Sequence, residues 1–164
     1  MERLFEAALS HADIATRSAG TSGMVGEPMV APMAELLRSV GARAEGFAAR
    51  QLTEKMVNES DLIVTATRAH RTTVVSMVPA AVRRTFTLIE LARLAQFVPP
   101  AQITGDDHAE RLLSLIDVAP SFRARAGHGP SSIADPYGRP DIVYRRCFDA
   151  IFSATLDIID AITR

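Results

Sequence analysis

The chain has 164 residues, 48% of them hydrophobic, enough for one domain with a substantial core. Eighteen basic side chains against nineteen acidic ones give a net charge of −1, so no global field favours nucleic acid or an anionic membrane as a partner. A single cysteine, Cys147, excludes an internal disulfide, and no apolar run is long enough to span a bilayer; the expected location is the reducing cytoplasm.

Taken in chain order, Leu4, Phe5, Ala8, Leu9 and Ala12 fall at helical spacing and predict an amphipathic helix that begins at once, with no strand or turn before it. Ile14-Ala15-Thr16-Arg17-Ser18 reads as a short strand, ending in the glycine-dense loop Ala19 to Pro28. Met29 to Val40 reads as a helix with Met33, Leu36, Leu37 and Val40 on one side, stopped by Gly41. Thr53 is placed to cap a short helix. Leu62 to Ala66 is almost continuously apolar, the pattern of a strand buried on both faces of a parallel sheet.

A helix from Arg68 to Met77 then precedes Pro79, a strand covers Thr85 to Leu88, and a helix runs from Ile89 to Phe97. Asp107 to Val118 is a further helix, and Pro120 to Ser132 reads as one long polar loop. Asp141 to Ile162 closes the chain as a long helix, with Tyr144, Phe148, Ile151, Phe152, Thr155, Ile158, Ile159 and Ile162 on its buried side. Strands alternating with helices predict a three-layer α/β (αβα) domain around a small, mostly parallel sheet, with residues 1–164 forming one domain.

Metal and nucleotide chemistry find little support in these residues. Asp106, Asp107, His108 and Glu110 match no standard ligand spacing and read better as a helix start, with negative charge near the positive end of the dipole. Gly20, Gly23 and Gly26 lack dinucleotide spacing, and no Gly-x-Ser-x-Gly occurs. Arginines bunch at Arg68–Arg93 and Arg123–Arg146, either as solvated faces or as a basic rim for a phosphorylated ligand. Neither a metal nor an organic cofactor is expected.

Several short motifs occur together and in order: Ser18-Ala19-Gly20-Thr21, Gly26-Glu27-Pro28, Ala49-Arg50-Gln51, Asp61-Leu62-Ile63-Val64 and Asp135-Pro136-Tyr137-Gly138, followed by Asp141, Tyr144 and Cys147. In this order the chain resembles a low-molecular-weight protein-tyrosine phosphatase, with Arg83 to Leu88 most like actinobacterial members. The resemblance implies hydrolysis of a phosphotyrosine protein through a phosphocysteine intermediate. It makes Asp135 the general acid, Tyr137 an aromatic wall for the substrate ring, and Ser18 a brace for the phosphate-binding loop.

Two departures stand beside that match. Phe47 occupies a position where family members often carry histidine, and Phe97 to Ser132 is longer than in compact members. More consequential is what does not occur. The family's nucleophile lies in a Cys-x5-Arg loop after a central first strand, and the sixth residue after Cys147 is Ser153. Cys147 falls mid-helix, where no nest of N–H groups would lower its pKa, and reads as a core residue.

By resemblance, Met1-Glu2-Arg3 corresponds to a point shortly after the loop arginine, so the chain is expected to begin inside the family's domain and to be inactive as it stands. Losing a central strand would orphan ladder groups at about 1–3 kcal/mol each, against a usual stability margin of about 5–15 kcal/mol. The alternatives are a non-catalytic, phosphatase-like binding protein and, further off, a relative of the arsenate reductases, which usually need additional cysteines.

Overall fold

The computed structural model describes residues 1–127 and 129–164. Its sheet is built from β1 (Ile63–Thr65) and β2 (Thr85–Thr87), paired in parallel with Ile63 opposite Thr85, Val64 opposite Phe86 and Thr65 opposite Thr87. A parallel pair cannot be closed by a hairpin, and the crossover is the helix Arg68–Met77 followed by a 3-10 turn at Pro79–Arg84. β2 is covered on both faces, so its threonines need internal partners. Thr85 Oγ1 donates to the Ala81 carbonyl at 2.7 Å, and Thr87 Oγ1 accepts the Glu90 amide at 3.2 Å, capping the next helix.

In chain order the α-helices are α1 (Glu2–Ala8), α2 (Ala31–Ser39), α3 (Glu54–Asn58), α4 (Arg68–Met77), α5 (Leu88–Phe97), α6 (His108–Val118), α7 (Arg123–Ala126) and α8 (Asp141–Thr163). Polar caps fix several starts: Thr53 accepts the Met56 amide, Thr67 that of His70, and Asp107 that of Glu110. Glu110 also accepts the Asp106 amide at 2.8 Å, so these two carboxylates bind the start of α6.

α5 packs along α8, and Phe86, Leu88, Leu91, Leu115 and Ile158 form the centre of the core, all with no exposed surface. A second cluster joins Leu4 of α1 to Ala34 and Leu37 of α2 and Phe148 of α8. Cys147 is buried in the main core. No helix among the described residues is long and apolar enough to cross a membrane.

Three expectations are corrected. Ile14 to Arg17 forms no strand: Ile14, Thr16 and Ser18 turn partly inward while Ala15 and Arg17 face solvent, yet the amides of 13–19 make no backbone hydrogen bond among the described residues. Thr16 Oγ1 is buried without a partner among those residues. The side-chain alternation of a strand is present and its ladder is not, because β1 pairs only with β2 there. The stretch from Pro120 to Ser132 is not all loop, since a 3-10 turn at Ala119–Phe122 leads into α7; His128 in this stretch lies outside the described residues. Val40 sits past the end of α2 and is exposed.

Candidate active site

In a parallel sheet the carboxyl ends of the strands, with the helix starts that follow them, face the usual ligand crevice. The segment carrying Asp135 is fastened there: the Ile133 amide donates to the carbonyl of Ala66, just past β1, at 2.8 Å. Asp135 then shapes its own loop. Its Oδ1 accepts the Tyr137 amide at 3.0 Å, an Asx turn, and the Arg139 amide closes a β-turn on the Pro136 carbonyl at 2.9 Å. Gly138 stands at the third position of that turn with φ +69°, where a side chain would be strained. Asp135 is exposed, and Tyr137 projects with 61% of its surface free, so both can meet an incoming molecule.

Ser18 is already engaged at the start of α1. Its hydroxyl donates to the Glu2 carboxylate, and its carbonyl accepts Arg50 Nε at 3.1 Å. Arg50 Nη2 also reaches both Glu2 oxygens at 3.2 Å, and the Glu2 side chain is only 8% exposed. The first turn of α1 is thereby tied to Ser18 by charge-assisted bonds.

Beyond Ser18 the glycine loop is laced to residues 49–52. The Gly20 amide bonds the Arg50 carbonyl, the Leu52 amide bonds the Gly20 carbonyl, and the Gln51 amide group bridges the Gly23 amide and the Thr21 carbonyl. A Cβ at Gly23 would lie 2.7 Å from the Arg50 carbonyl oxygen, which is why only glycine fits. The Ala49-Arg50-Gln51 motif thus has a structural task that the sequence left unassigned: it fastens both α1 and the glycine loop.

Cys147, the Met1 amine and Asp135 share one electrostatic neighbourhood. Burial pushes the Cys147 thiol up, the positive Met1 amine opposes this, and the Asp135 carboxylate adds to it. Burial lowers the pKa of that amine in turn.

Each unit by which a thiol pKa rises cuts its thiolate fraction about tenfold. Native Cys147 should react with a chromogenic disulfide at pH 8 at least about ten times more slowly than the urea-unfolded chain. Equal rates would contradict its burial. Two hollows, of about 470 and 530 Å³, are lined by neither Ser18, Asp135 nor Tyr137.

Comparison with known proteins bears on this arrangement. Residues 1–99 match the family model described as low molecular weight phosphotyrosine protein phosphatase, a span that includes Ser18 and stops short of Asp135. A search of curated proteins gives no match. Among solved structures, the tyrosine phosphatase AmsI of Erwinia amylovora is similar at TM-score 0.68 and 22% identity, covering 99% of this chain and 83% of that one.

The low molecular weight protein tyrosine phosphatase of T. tengcongensis is similar at TM-score 0.68 and 20% identity, with 97% and 86% covered. The arginine phosphatase YwlE of Geobacillus stearothermophilus gives TM-score 0.64 and 22% identity, with 97% and 82% covered. At these identities the likeness is one of fold.

Proposed function

The chain belongs to the low molecular weight phosphotyrosine protein phosphatase family, and from that premise we propose that it supplies the acid–base half of a phosphotyrosine hydrolase. One observation supports this most directly: Asp135 is presented by a self-bonded turn, anchored through Ile133 at the carboxyl end of β1. In the proposed reaction a cysteine thiolate attacks phosphorus and the P–O bond to the tyrosine breaks. Asp135 gives its proton to the departing phenolate. It then takes a proton from the water that hydrolyses the phosphocysteine, releasing phosphate and the free thiolate. Tyr137 offers its ring to the substrate ring.

The nucleophile is not among these residues. Cys147 is buried, its thiol is pushed up, and Ser153 stands where the arginine of Cys-x5-Arg would be. In this reading the strand and the Cys-x5-Arg loop enter between β1 and residues 14–18, where backbone groups lack ladder partners among the described residues, with the loop turning toward the start of α1. Ser18 would then brace that loop. Without them the chain is inactive, and no metal or organic cofactor takes part. A cytoplasmic location belongs to the same reading.

The second edge of β1, unpaired among the described residues, supports a second reading, a phosphatase-like protein that binds a partner strand there and catalyses nothing. The test that separates them joins a family-like strand and Cys-x5-Arg loop ahead of Met1 and measures hydrolysis of an aryl phosphate. Turnover in the joined form supports the first reading. A folded joined form without turnover supports the second.

A further inference from the structure

We infer that Arg68 is a positioning residue for the Asp135 loop, an inference that rests on the acid role proposed for Asp135. Among the described residues four hydrogen bonds hold the stem of that loop, and Arg68 makes two of them. Its Nε donates to Ser131 Oγ at 2.5 Å, and its backbone amide donates to Ser132 Oγ at 3.3 Å. The others are Ile133 to Ala66, already described, and Arg93 Nη1 to the Pro130 carbonyl at 3.3 Å.

The local sequence explains why Arg68 can act at both ends. It is the first residue of α4, so its amide is one of the helix donors without an intrahelical acceptor, and the Ser132 hydroxyl satisfies it. Its side chain turns back over the same segment to Ser131, which is 7% exposed. Among the described residues the Ser131 hydroxyl has no other side-chain partner, so losing Arg68 leaves a buried polar group unpaired.

Asp135 follows Ser131 by only four positions, with Ile133 buried between them. Little slack separates the tether from the carboxyl group. An error of about 1 Å in placing a reacting group can cost on the order of 10²-fold in rate. Arg68 touches no reacting atom in this arrangement, and acts by setting where Asp135 stands.

Amide hydrogen exchange on the 164-residue chain tests the placement without any need for catalysis. In Arg68→Ala, protection of the Ile133 and Tyr137 amides should fall about tenfold or more while the Leu91 and Ile158 amides keep theirs. Ser131→Ala should give the same local loss, and the double variant no further loss, because both remove one contact. Unchanged protection at Ile133 and Tyr137 overturns the inference. So does an equal fall at Leu91 and Ile158, which would make Arg68 a general stabiliser.

In the form joined to a strand and Cys-x5-Arg loop, Arg68→Ala should lower kcat for phenyl phosphate about 10- to 100-fold. It should lower kcat for p-nitrophenyl phosphate much less, with KM unchanged. Equal losses on the two substrates overturn the inference. If the joined wild type is itself inactive, the phosphatase reading fails, and the exchange result still decides where Arg68 holds the loop.

Discussion

Asp135→Asn, made in a form of this chain joined ahead of Met1 to a family-like strand and Cys-x5-Arg loop, should lower turnover of phenyl phosphate by about 10²–10⁴-fold. The size follows from what the carboxyl group does. Phenolate is a poor leaving group and needs a proton as the P–O bond breaks, whereas p-nitrophenolate departs with its charge delocalised. The amide keeps the Asx acceptor, since its oxygen can still receive the Tyr137 amide, so the loop is retained and only the proton is lost. The loss should therefore be steep in leaving-group pKa. Equal rates on phenyl phosphate for the joined wild type and its Asp135→Asn variant would remove Asp135 from the role of acid.

The second large effect is on stability and needs no chemistry. Joining the strand with its loop cysteine replaced by serine should raise the urea midpoint by about 1–3 M. Residues 14–18 already alternate inward and outward without a ladder, and the second edge of β1 is unpaired among the described residues. Four apolar side chains entering that space contribute about 1.5–3 kcal/mol each. Ladder hydrogen bonds add about 0.5–1.5 kcal/mol apiece. Ordering the strand costs about 1–2 kcal/mol per residue, which offsets part of that gain. An unchanged midpoint would mean that this space is not a strand site.

Much of the architecture was legible because it is written in local chemistry. Thr53, Thr67, Thr87 and Asp107 cap helices with their own side chains, and three of these helices begin within a residue of where apolar spacing puts them. The burial of β2 follows from its β-branched and aromatic residues, and Cys147 falls on the inner stripe of α8 as its spacing requires. Ile14 to Arg17 shows the limit of this kind of reading. Alternation reports which way side chains point, but a strand also requires a neighbour, and nothing in five residues says whether one is there.

The site divides in the same way. Asp135-Pro136-Tyr137-Gly138 announces a turn from composition alone, and the turn is present. The tasks of Glu2, Arg50, Gln51 and Arg68 were not legible because their partners are 16 to 64 residues away, and side-chain identity carries no record of such distances. The clearest available signal was Ala49-Arg50-Gln51, matched as a motif without a task. Phe47, set against a position often held by histidine, gave a second hint. The bracing on this side of the site comes from Arg50 and Glu2.

The most direct test of the whole account is phosphate release from a phosphotyrosine peptide, measured side by side for the 164-residue chain and for the form joined to the strand and Cys-x5-Arg loop. No release above background is expected from the former, and steady turnover from the latter. Release from the 164-residue chain by itself would contradict the assignment of the nucleophile to the absent loop. A stable, folded joined form that releases no phosphate would contradict the phosphatase reading itself.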